Sequence, residues 1–239
     1  MKWRRHRDAR PGISESDLVD TWQVVSLLLD YPDDVLLQRV PMLREVVAGL
    51  PDAQRMPLLE FLDRLTPASL GALQREYVDT FDVTRKCSLH LTYFTQGDTR
   101  RRGVALVEFK QAYRRAGLEF DSDVELPDHL CVVLEFGAVQ DWATAWHLLT
   151  RHRVGVEVLR AGLAHRDSPW LPVLEALRST LPPLDGTDQE ALMRLVAEGP
   201  PKEEVGLEPY AIDPRLNPRP EPADTTAMLG LTIPVGAPR

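Results

Sequence analysis

Cys87 and His90 are the first residues in this 239-residue chain whose types and spacing suit chemistry. Three apart fits one helical turn, and a thiol beside an imidazole is a nucleophile with its base. No third group is placed to orient the imidazole, and no glycine-rich loop adjoins to hold an oxyanion. A cysteine that fills space and a histidine that donates a hydrogen bond explain the pair better. His147 and His152 lie five apart, about 140° from a shared helix face, and so should not hold one metal. The chain has no HExxH, no GxSxG, no zinc-type Cys/His spacing and no phosphate-binding glycine loop. Cys87 and Cys131 are the only cysteines, too few for a disulfide framework and consistent with a reduced, cytoplasmic protein. No catalytic residue, cofactor or metal is expected.

Polar residues in apolar surroundings say more. Asp128, His129 and Glu135 flank or interrupt the run "LCVVL". Asp128 and Glu135 are seven apart, which on one continuous helix places them near the same face. A carboxylate against a buried helix needs a cation or donors, or its pKa rises. Arg101 and Arg102 are the nearest cations by chemistry, and such a pairing would tie a helix beginning at Asp98 to one beginning near Asp128. Residues 85–115 carry a formal +6 in a chain of −8, so the remainder sums to −14. That basic stretch is either a phosphate-binding face or a set of internal ion-pair partners, and the overall acidity favours pairing.

The elements that must position these residues read as helices. Leu18, Trp22, Val25 and Leu29 form one stripe at spacings of four, three and four. Further helices are predicted near 33–49 with a bend at Pro41, 52–65, 67–81 from Thr66-Pro67, 98–116 stopped by Gly117, 125–139, 141–166, 169–181 and 187–198 from a Thr187/Glu190 capping box. "SLHLTYF" alternates like a strand, but an isolated strand has no partner here, so an ordered loop or short helix is expected. The fold expected is all-α: one compact domain of about nine helices over 14–198, after a basic disordered N-terminus (1–13). A tail over 199–239 holds nine of the 20 prolines and is expected to be largely disordered. No apolar run approaches the ~18 residues of a membrane span, and no cleavable signal is evident.

The stretch Glu76 to Phe81, "LTYFTQGDTRRRG" (91–103) and "ELPDHLCVVLEF" (125–136) resemble the nitrate reductase delta subunit family, NarJ-type assembly chaperones within the wider TorD/DmsD-like redox-enzyme maturation chaperones. The resemblance covers about residues 18–195 in element order and leaves the proline-rich tail outside. It implies an all-helical protein without catalytic turnover. Its partner would be the N-terminal segment of the catalytic α subunit of a respiratory nitrate reductase. That segment would be held in the cytoplasm while the molybdenum cofactor and an iron–sulfur cluster are inserted, before membrane docking. Membrane contact would be indirect, through the client, and no nucleic acid is implied.

On this reading the client lies as an amphipathic helix in an apolar groove. Tyr77, Phe81, Leu91, Tyr93 and Phe94 are the expected lining. Asp98, Asp128 and Glu135 would receive the client's positive groups, Arg101 and Arg102 would position those carboxylates, and His129 would sit at the same site. Two alternatives share the residues: a helical nucleic-acid-binding regulator using the 85–115 face, and a chaperone of another molybdoenzyme.

Overall fold

Ser14 starts the first helix by accepting a hydrogen bond from the Asp17 amide, and acidic Glu15 and Asp17 suit its positive end. This α1 spans Glu15–Leu28 in the computed structural model, which describes residues 11–97, 100–120 and 125–198. The N-terminal residues before 11, Asp98 and Thr99, residues 121–124 and the tail from 199 lie outside the described residues, together with what was expected of them.

Eleven α-helices follow one another in the described residues: α2 Asp34–Ala48, α3 Asp52–Leu62, α4 Leu70–Tyr77, α5 Tyr93–Gln96, α6 Arg100–Arg115, α7 Leu130–Val139, α8 Trp142–Arg151, α9 Arg153–His165, α10 Leu171–Thr180 and α11 Gly186–Glu198. The all-α expectation holds, with two helices more than the periodicity suggests. The segment 141–166 breaks at His152, which leaves helical geometry, into α8 and α9. The "SLHLTYF" stretch ends in the one-turn α5. Pro41 lies inside α2 without ending it. The last helix is capped by Asp185, whose carboxylate accepts from the Asp188 amide, rather than by Thr187.

Helix α7 is the centre. It packs on α1 and α8 through Gly137, where a Cβ would fall 2.5 Å from the Ala145 Cβ and 2.7 Å from the Trp22 ring. Such close approach needs glycine. Trp22 in turn donates to the Thr180 hydroxyl (3.1 Å), and Trp170 donates to the Leu28 carbonyl (3.1 Å), so α1 is locked to α10 from both sides.

Helix α9 shelters the loop that precedes α5. Gly155 and Gly162 are seven apart and face one way, and a Cβ on them would meet the Leu91 and Lys86 carbonyls at 2.9 and 2.6 Å. Between α9 and α10, the buried carboxylate of Glu157 binds Arg153 (2.6 Å), Arg160 (2.6 Å) and Arg178 (3.0 Å). Three guanidiniums satisfy that carboxylate where water does not reach it.

Candidate functional site

The 85–97 stretch meets the 125–130 segment through a single antiparallel bridge, His90 with His129. Leu91 donates to the Asp128 carbonyl (3.0 Å) and Leu130 to the Leu89 carbonyl (2.8 Å). The alternating pattern of "SLHLTYF" thus reports one bridging residue before the chain coils into α5.

That bridge delivers Asp128 to Thr92. The carboxylate is fully buried and accepts from the Thr92 amide (3.0 Å) and hydroxyl (2.5 Å). His90 Nδ1 stands 3.5 Å from its other oxygen, and Arg102 Nη2 stands 4.0 Å away. Burial by itself raises the Asp128 pKa, but the nearby His90 and the hydrogen bonds from Thr92 outweigh it and hold the carboxyl at about 2. Arg102 also lies over the Tyr93 ring, 5.8 Å from its centroid. The expected link between the Arg102 helix and the Asp128 segment exists; Arg101, by contrast, is exposed and makes no ion pair among the described residues.

Asp128 and Glu135 do not share a helix face. His129 caps α7, so Asp128 belongs to the incoming loop, while Glu135 points outward from the helix. The rings of His90 and His129 meet edge to face at 5.2 Å, and burial lowers the His129 pKa. Asp98 falls outside the described residues.

The five apolar residues expected to line a groove are interior. Tyr77, Phe81, Leu91, Tyr93 and Phe94 are all buried. Tyr77 and Phe81 close on Trp170 of the α9–α10 connection, with ring centroids 5.5 and 5.3 Å from it, and the Tyr77 hydroxyl donates to the Leu29 carbonyl (3.0 Å). A π-helical turn over Val78–Asp82 brings Tyr77 and Phe81 to 4.7 Å of each other. Leu91 and Phe94 face Gly155. In this structure these side chains form an inner wall of the core rather than an open lining.

The open surface is beside α7. A cleft of about 260 Å³ lies between the end of α6 and α7, lined by Tyr113, Leu118, Phe120, Val132, Phe136 and Val139, with Glu119, Glu135 and Gln140 at its polar edge. Gly117 makes it. With φ +83° it ends α6 in a Schellman turn, Leu118 donating to the Tyr113 carbonyl (3.0 Å) and Gly117 to that of Arg114 (3.0 Å). The chain then lays Phe120 against Tyr113 (5.4 Å), and Phe136 closes the floor at 4.7 Å from Tyr113. The Tyr113 hydroxyl donates to the Pro127 carbonyl (2.6 Å), the residue before Asp128. The buried carboxylate and the floor of the cleft are therefore two ends of one hydrogen-bonded loop.

Of the expected residues that are described, only Glu135 lines this cleft. Sequence reasoning passed over Tyr113, Leu118, Phe120, Val132 and Val139. A signal was present: α7 is apolar nearly all round, and Glu135, with Val132 and Val139 a turn to either side, marks its one solvent stripe. Cys87 is buried, and its burial pushes the thiol up while Arg166 pulls it down less; a nucleophile needs the reverse. Cys87 and Cys131 are both free thiols. Among the described residues no cluster of metal-binding side chains occurs, and no helix is long and apolar enough to cross a membrane.

The helical order matches a fold already seen in a solved structure. A redox enzyme maturation protein from Archaeoglobus fulgidus superposes with a TM-score of 0.51 over 72% of this chain and 95% of its own, at 22% identity, which establishes the shared fold. The family follows from the sequence comparison: the nitrate reductase delta subunit model matches residues 48–176, and the chain belongs to that family. It is 31% identical over 170 residues to the Bacillus subtilis protein named as the nitrate reductase molybdenum cofactor assembly chaperone NarJ, covering 71% of this chain and 92% of that one. It is 34% identical over 157 residues to NarJ of Escherichia coli K12, covering 64% and 66%. A nitrate reductase-like protein, NarX, of Mycobacterium tuberculosis H37Rv is 33% identical over 159 residues, which span 66% of this chain and 24% of NarX.

Proposed function

We propose that this chain is an assembly chaperone for a respiratory nitrate reductase and makes or breaks no bonds itself. It binds the N-terminal segment of the catalytic α subunit and holds it while the molybdenum cofactor, and an iron–sulfur cluster, are inserted, before the enzyme docks on its membrane anchor. The family and the names of its relatives support the client. The observation that carries the binding reading is the apolar cleft on the outer face of α7, edged by Glu119 and Glu135.

A cleft of this size receives one or two large apolar side chains. Each contributes about 1.5–3 kcal/mol on burial. Ordering a peptide costs about 2–5 kcal/mol. The net is weak to moderate binding, which suits a holder that must release. Tyr77, Phe81, Leu91, Tyr93 and Phe94 belong to the core, and Asp128, His129 and Arg102 hold the loop that positions Tyr113.

The test is calorimetric titration of a synthetic peptide, the first ~20 residues of the cognate catalytic subunit. Val139→Lys and Phe120→Ala should each weaken binding about tenfold while the circular dichroism spectrum is retained. Undiminished affinity in both variants moves the site away from α7, and no heat with the unaltered chain removes the client.

A further inference from the structure

A second face adjoins the cleft at the far end of α7. Tyr31, just past α1, is 47% exposed, and its ring stands edge-on to the buried Tyr77 at 5.4 Å. Val78 and Val83 are exposed nearby, on and after the π turn. Asp30 adjoins Tyr31, Asp82 ends the π turn that carries Val78, and Glu125 lies in the segment leading to α7. All three lie close enough to add to the effect of burial in raising the Tyr77 pKa. Asp30, Glu125 and Glu135 act likewise on the thiol of Cys131, one turn before Glu135 on α7. Cys131 also precedes Val132 of the cleft on α7, so it lies between this face and the cleft edge.

The charges on this strip are uncompensated. Asp30, Asp82, Glu119, Glu125 and Glu135 form no ion pair among the described residues; Asp30 and Glu125 accept only the amides of the residues that follow them. Asp79 on the same turn is neutralised by Arg166. An apolar strip edged by unpaired carboxylates is complementary to apolar side chains interleaved with Lys or Arg.

We infer that the client segment is cationic and extends beyond the cleft, crossing Cys131 to place Lys or Arg side chains against Tyr31, Asp30, Asp82 and Glu125. This rests on the reading of the cleft as a peptide site. The ten residues of α7 span about 15 Å, so a helical segment of some 15–20 residues covers both contacts. Tyr31 adds a ring face for a cation, and the exposed valines receive the intervening apolar side chains.

The experiment pairs two proteins with two peptides. The proteins are the full chain and its Asp30→Asn/Asp82→Asn variant. The peptides are the first ~20 residues of the cognate catalytic subunit and the same peptide with every Lys and Arg replaced by Gln. At low salt the variant should bind the natural peptide about three- to tenfold more weakly, and at 0.5 M salt the gap should close. The neutralised peptide should bind both proteins alike. Equal binding of the natural peptide by both proteins, or an equal loss with the neutralised one, overturns the inference and leaves the cleft intact. Absence of binding by the unaltered chain overturns the cleft reading as well. Sedimentation showing a dimer that the substitutions dissociate assigns the face to a second copy of the chain and also overturns it.

Discussion

Two aromatic trios behave in opposite ways. Tyr77, Phe81 and Trp170 are all buried, with the Trp170 ring 5.5 and 5.3 Å from the other two. Tyr113 and Phe136 are buried too and make equally close contacts, but with the half-buried Phe120 they floor a cleft. Ring chemistry does not separate the two. The first trio is covered because the α9–α10 connection returns over it and carries Trp170. The second floors a cleft because Gly117 ends α6 beside α7 and no other described element covers it there. Whether an aromatic cluster is core or binding surface depends on a third element, not on the cluster.

The sharpest way to break the contrast is to open the sealed trio. Trp170→Ala removes a fully buried ring and its hydrogen bond to Leu28, and should lower unfolding stability by about 3–5 kcal/mol in urea titrations. A small loss would mean that the sealed side tolerates a gap as the cleft does.

Acid probes the interior next. His152 is buried against Phe109, and burial, helped by Arg151, depresses its pKa from 6.5 to about 4. The unfolded chain thus takes up this proton below about 6.5, and the folded one only near 4. Stability is full above 6.5 and falls as pH drops through that window, by roughly 3 kcal/mol at most. A His152→Gln variant should show a flatter profile between pH 7 and 4. Asp128 contributes in the same direction but lower, losing its share as pH falls from about 4 towards 2.

Gly162→Ala sharpens the account of what holds the wall. Its Cβ would sit 2.6 Å from the Lys86 carbonyl, and backbone must shift, at a cost of about 1–3 kcal/mol measured by thermal unfolding. Smallest of all should be the stability change in Val139→Lys, within about 0.5 kcal/mol, because that side chain is already 63% exposed. The same variant should lose most of its peptide affinity, so the two trios separate stability from binding.

Much was legible before any coordinates. Apolar spacings of three and four set the helices and their buried faces, since a 3.6-residue period leaves few other ways to cover those side chains. The motif stretch pointed to the family, and Arg102 to Asp128, because a buried carboxylate must find cations or donors and few were near. Thr92 as its main donor was not legible: a threonine beside aromatics carries no pattern of its own. Nor was the break at His152, where apolar periodicity continues across the kink.

Residue order by itself determined an all-helical chain, its family and a buried polar clamp. Tertiary structure alone decided which aromatic cluster floors a cleft. Local periodicity tells which side of a helix is apolar. Accessibility is set by whatever segment, distant in the chain, comes to rest there, as Trp170 does over Tyr77 and nothing described does over Val139.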